Sequence, residues 1–83
     1  MIIGVAIRQD GTVYGLQKPN RHHDVIRHMV DERNIPPPIR GEQGFYDEES
    51  EFISREKARE LAIESGQCKE PRHRCLLFSE DLW

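Results

Sequence analysis

From Ile3 to Leu16, apolar and polar or small positions alternate, and the alternation is interrupted by Asp10-Gly11. An Asp-Gly pair supplies the positive φ angles of a type I′ hairpin, so the pattern predicts strands over residues 2–8 and 12–16. Closure at that turn pairs Gln9 with Thr12, Ile7 with Tyr14 and Val5 with Leu16. Ile3, Val5, Ile7, Tyr14 and Leu16 then share one face, the predicted core, because a strand repeats every second residue. The other face, with Gly4, Ala6, Arg8, Val13 and Gly15, is small enough for another subunit or a ligand to lie against it.

Beyond the turn Lys18-Pro19-Asn20 the period becomes helical. Val25, Ile26, Met29 and Val30 fall at i, i+1, i+4 and i+5, predicting an amphipathic helix capped by Asn20 or a neighbour and running to about Asn34. Asp24, Arg27, His28, Asp31 and Glu32 take its outer face. Three consecutive prolines, Pro36 to Pro38, lack backbone donors and restrict the residues before them, so 35–39 reads as an extended connector. Gly44-Phe45-Tyr46 and Glu51-Phe52-Ile53 flank an acidic stretch of four residues, Asp47 to Ser50. A loop of that length predicts a second hairpin with Phe45 opposite Phe52. Ser54 caps a helix over 55–65, with Ile53 and Ala58 as a hydrophobic staple and Gly66 as the left-handed stop. Its inward face is Ala58, Leu61, Ala62 and Ser65, and Ile63 falls off it, towards another chain. Residues 69–74 form a basic loop, 75–78 an apolar strand, and 79–83 a capped turn that tucks Leu82 and Trp83 onto the core. The chain therefore reads as a single α+β domain over residues 1–83, in the order ββαββαβ, with both helices on one face of an antiparallel sheet.

At 83 residues such a domain buries only about 60% of its unfolded surface, and a homo-oligomer is the expected remedy. Twelve Lys and Arg against 15 Asp and Glu give a net charge of −3, which argues against general nucleic-acid binding. No apolar run approaches the ~20 residues of a membrane span, and the N-terminal stretch lacks a basic region and apolar length. A cytoplasmic protein without membrane contact is expected, with Cys68 and Cys75 as reduced thiols.

Candidate chemistry gathers at Asn20-Arg21-His22-His23. A helix N-terminus offers unpaired N–H groups and a partial positive charge, so Arg21, His22 and His23 would add donors to an anion site there. Alternatively, His22 packs at the end of the apolar stripe and Arg21 is solvated. Arg40, Lys69, Arg72, His73 and Arg74 lie in loops that could converge on the same end, and Tyr14, Phe45, Tyr46 or Trp83 could stack on a base. Arg21, His22, His23, Arg40, Arg72, Arg74 and Trp83 are thus the expected ligand-binding residues for an anionic nucleotide.

Three further chemistries compete. The acidic residues Asp47, Glu48, Glu49, Glu51, Glu80 and Asp81 could meet a basic protein surface, although a solvated acidic face is the common outcome for such a cluster. Cys68, His73 and Cys75 could bind zinc with His22 or His23, but the spacing is not that of a common zinc module, and no metal or other cofactor is expected. His23-Asp24 resembles the doublet of metal-dependent phosphohydrolases, which place further ligands on other helices of a larger helical domain. No nucleophile elbow or phosphate-binding glycine loop occurs, so a catalytic role is the lesser expectation.

Arg21-His22-His23-Asp24-Val25-Ile26, Gln43-Gly44-Phe45, Phe52-Ile53 with Arg55-Glu56 and Ala58, Ala62 with Gly66-Gln67, and Leu77-Phe78-Ser79-Glu80-Asp81-Leu82-Trp83 together resemble a group of small accessory proteins of tailed phages and prophages. The likeness covers about two-thirds of the chain in order. Its more specific parts are the closing Ser-Glu-Asp-Leu-Trp and the Gly-Gln after the second helix. Similar proteins have a Gly-Arg-bearing turn where this chain has Asp47-Glu48-Glu49-Ser50. The resemblance implies a phage accessory protein in an infected host cell. Small phage proteins of this kind often counter host defence, by sequestering a nucleotide signal or by blocking a defence protein. A non-catalytic nucleotide-binding protein is the expected function, with an acidic protein inhibitor and a small metal-dependent hydrolase as the alternatives.

Overall fold

The computed structural model describes residues 1–83. Its elements are β1 (Ile2–Gln9), β2 (Thr12–Gln17), α1 (His22–Asp31), β3 (Glu42–Asp47), β4 (Phe52–Ser54) and α2 (Arg55–Ser65), followed by a 3-10 turn at Ser79–Asp81. The strands form one antiparallel sheet in the order β2-β1-β3-β4. Two ββα units are therefore joined through their first strands. Helix α1 packs against β1 and β2, and α2 against β3 and β4.

The first hairpin has the expected register: Asp10 and Gly11 both have positive φ, 52° and 79°, and Gln9 pairs with Thr12. Leu16, Val5, Phe45 and Ile53 then form a continuous row across the four strands on the helix-bearing face. Val5 and Phe45 are fully buried, and Val25 and Met29 of α1 and Ala58 and Ala62 of α2 close over them. One expectation fails at the start of β1. A shift between Ile2 and Gly4 against β3 inserts an extra residue, so Ile2 enters the core and Ile3 is left half-buried. Such a bulge reverses the alternation. Gln67 holds the bulged end by pairing with both backbone groups of Ile2, its Oε1 accepting from N–H at 3.3 Å and its Nε2 donating to C=O at 2.9 Å.

The second hairpin is also one residue out of the expected register. Ser50 has a φ of 62°, its N–H bonds Asp47 C=O at 2.9 Å, and Asp47 Oδ1 accepts from Glu49 and Glu51 N–H. A tight turn ending in a left-handed residue shortens the loop, so Phe45 faces Ile53 and Tyr46 faces Phe52. Phe52 is consequently on the helix-free face. There Tyr46 lies over Gly4 and Gly15, and Phe52 over Gly44, where a Cβ would collide with the ring. The small face thus accommodates the protein's own aromatic rings.

Helix α1 stops at Asp31, short of Asn34, because Asn34 turns left-handed at φ 56° and Ile35 N–H closes onto Met29 C=O. Helix α2 has the expected ends, with Ser54 Oγ accepting from Lys57 N–H and Gly66 left-handed. The strand expected over 75–78 does not form. Helix α2 follows β4 directly and leaves little edge to pair with, so Leu77 bonds Arg55 C=O and drops its side chain into the core. The closing turn is present, with Asp81 Oδ2 accepting from Phe78 N–H.

Candidate binding site

Segment 77–83 runs from the first residue of α2 to the start of α1, and Arg21 clasps its end. Arg21 Nη1 donates to Ser79 Oγ at 3.0 Å, and Nη2 donates to the Trp83 carbonyl oxygen. Trp83 Nε1 donates to Asn20 C=O at 2.9 Å, and its ring meets Phe45 edge to face at 6.4 Å. Arg21 is also the N-cap of α1. A guanidinium has no acceptor to offer a helix N-terminus, so the cap works from the other side, with Asp24 Oδ2 accepting Arg21 N–H at 2.8 Å.

His22 faces inward. Its Nε2 lies 2.7 Å from the Gly44 carbonyl, and its ring stands edge to face on Phe45 at 5.4 Å. A carbonyl only accepts, so Nε2 carries the proton. Burial is the largest influence on the ring and lowers its pKa, the Gly44 bond opposes it, Arg55 lowers it further and Glu80 raises it. A lowered folded-state pKa means that the unfolded chain takes up the proton more readily. This contribution is intact above the ordinary value of 6.5 and is lost as pH falls below it. Melting temperature is therefore expected to drop between pH 7.5 and about 5.5. His22→Gln, whose carboxamide can still donate to Gly44, should flatten that part of the profile, and an unchanged slope would assign it elsewhere.

The remaining candidates are spread over three places. His23 is exposed and 3.5 Å from Asp24 Oδ1. Arg40 is at the hairpin end of the sheet, with its N–H on Gln9 Oε1, in a depression shared with Arg8, Asp10 and Glu42. It does not converge with Arg21. Arg72, by contrast, shares an open depression of about 350 Å³ with His73, Phe78 and Glu80. Arg55 stands over the Phe78 ring at 5.3 Å and His73 meets that ring at 5.8 Å. His73 Nδ1 accepts from Cys75 and Leu76 N–H, both at 3.0 Å, and Arg59 Nε donates to His73 C=O, so the basic loop is fastened to α2. In its neutral form His73 then carries its proton on Nε2. Arg74 is exposed on the same loop.

Glu80 lies between the Arg21 clasp and the Arg72 depression. Its own backbone N–H is the largest influence holding its carboxyl below the usual carboxylate range, aided by Arg21, Ser79 and Arg72 and opposed by burial. Asp81 is occupied internally, accepting from Phe78 and Arg72 N–H. Cys68, His73 and Cys75 do not come together as a metal-ligand set, and no other three His, Cys, Asp or Glu side chains do. No helix is long and apolar enough to cross a membrane. Sequence reasoning missed Arg55, Phe78 and Ser79 as partners of the basic residues. By sequence, Phe78 falls at the end of an expected apolar strand, Ser79 at the start of the capped turn and Arg55 at the start of the second helix, and no local pattern links the three.

Residues 1–83 match the family model described as phage T4 y16D protein, and the chain belongs to that family. No curated protein and no solved structure matches it.

Proposed function

We propose that this member of the phage T4 y16D protein family is a non-catalytic binding protein that holds a phosphate-bearing nucleotide at the Arg72 depression and withdraws it from host defence. The observation that carries this reading is the gathering of Arg55, Arg72 and His73 around the Phe78 ring, beside the exposed Arg74. Guanidinium forks and an imidazole N–H suit phosphate oxygens, and an aromatic ring gives a base an apolar surface. Arg21 and Trp83 support the site by fixing segment 77–83, His22 packs on β3 through Gly44 and Phe45, and His23 and Arg40 are outside it.

Thermal shift with linear and cyclic nucleotides tests the reading. A bound nucleotide stabilises the folded state by mass action, by about 2.7 kcal/mol at a hundred times its Kd. Arg72→Ala should abolish the shift. Glu80→Gln should enlarge it, because a carboxylate lining the same depression repels phosphate. Ligand recovered intact after denaturation supports sequestration, whereas conversion would make the protein an enzyme.

A second reading, inhibition of a host protein through an acidic surface, draws on the β3–β4 turn. Asp47 fixes that turn and Glu48 pairs with the Met1 amino group, which leaves Glu49 and Glu51 exposed on a shaped loop. That reading takes over if no nucleotide stabilises the protein and if Glu49→Lys with Glu51→Lys abolishes activity in infected cells.

A further inference from the structure

The two edges of the sheet differ. Strand β4 has three residues and runs directly into α2, whereas β2 has six, Thr12–Gln17, with no charge and no proline among them. Exposed edges in soluble proteins are usually blunted by charge, proline, a bulge or a cover, because their free backbone groups recruit another strand. In the first hairpin Gln9, Ile7 and Val5 exchange backbone bonds with Thr12, Tyr14 and Leu16, as the two-residue turn dictates. The N–H and C=O groups of Val13, Gly15 and Gln17 therefore point away from β1. The Gln17 carbonyl is already taken by the Asn20 N–H and side-chain amide. Complete pairs of outward groups remain at Val13 and Gly15.

We infer that β2 is a self-pairing edge, and that two copies join antiparallel through it about a twofold axis at Tyr14 to make one eight-stranded sheet. Val13 of each copy lies opposite Gly15 of the other, which satisfies both residues with about four backbone hydrogen bonds. The same register sets Tyr14 against Tyr14 and Leu16 against Thr12 on the helix-bearing face, adding cover to two side chains that are only partly buried in the monomer. It also sets Lys18 of each copy opposite Asp10 of the other, at both ends of the seam. A foreign strand could use the backbone groups, but this charge match and the pairing of Val13 with Gly15 repeat under twofold symmetry, which favours a second copy. Because β4 offers no comparable edge, the assembly closes at two.

Light scattering on the full chain should give a dimer. Amide exchange at Val13 and Gly15 should slow as concentration rises, since nothing within one copy protects these two groups. Val13→Pro removes a donor that the internal ladder does not use. It should weaken dimerisation by about tenfold or more with the circular dichroism spectrum retained. Independently of that variant, Tyr14→Cys in a Cys68→Ser/Cys75→Ser background should cross-link to a dimer under oxidised glutathione, and Thr12→Cys in the same background should not. A monomer at NMR concentrations overturns the inference. So does a dimer whose Val13 and Gly15 amides exchange at concentration-independent rates, or one that Ile63→Lys disrupts while Val13→Pro does not.

Discussion

Phe45→Ala is expected to cost about 3–5 kcal/mol of unfolding free energy, the range for emptying a fully buried aromatic position. Phe45 has no exposed surface and is the third member of the row Leu16-Val5-Phe45-Ile53, with the rings of His22 and Trp83 both edge-on to it. Truncation therefore removes a contact from the sheet, from α1 and from the C-terminal segment together. A chain of 83 residues has on the order of 4–12 kcal/mol to lose. Urea unfolding should show a midpoint far below that of the native protein, or no folded baseline. Phe52→Ala, on the helix-free face under the Arg8 guanidinium at 4.5 Å, should cost clearly less. Equal losses at the two positions would mean that Phe45 and Phe52 share a face after all, as a longer loop between β3 and β4 would require.

That contrast also marks where the fold could be read from the chain and where it could not. Asp10-Gly11 admits essentially one turn, and with it the register of β1 and β2 follows residue by residue. Ser54 and Gly66 mark the ends of α2 just as firmly, because one offers a hydroxyl to a free N–H and the other tolerates a left-handed backbone. Between β3 and β4 nothing comparable appears, since the left-handed residue is a serine and the Asp47 side chain sets the loop length. The bulge at Ile3 was illegible for a related reason, as it is held through Ile2 by Gln67, 65 residues further along the chain. Arg21 and His22 stand out in the sequence as unusual residues at a helix start. Their partners, Ser79, the Trp83 carbonyl and the Gly44 carbonyl, are distant in sequence, two of them are backbone atoms, and no local pattern announces them.

Arg21→Ala should accordingly destabilise the ligand-free protein, by about 2–3 kcal/mol, the scale of losing charge-assisted hydrogen bonds from a part-buried position. Its guanidinium spans Ser79 Oγ, on a residue that is only 2% exposed, and the Trp83 carbonyl, and so ties both ends of the closing turn to the N-terminus of α1. Lysine keeps the charge but cannot reach two acceptors as a planar fork. Arg21→Lys should therefore recover only part of the loss. Trp83 is the only tryptophan, so its emission should shift to longer wavelength in the alanine variant at temperatures where the sheet and helices remain folded. An anion ligand at the start of α1 would leave a different trace. If Arg21 were there to bind phosphate, Arg21→Ala would leave the ligand-free melting temperature and the tryptophan emission unchanged and abolish only the nucleotide shift. With Arg21 as a clasp, the ligand-free protein melts earlier, and nucleotide stabilisation persists as long as Arg72, His73 and Phe78 are in place.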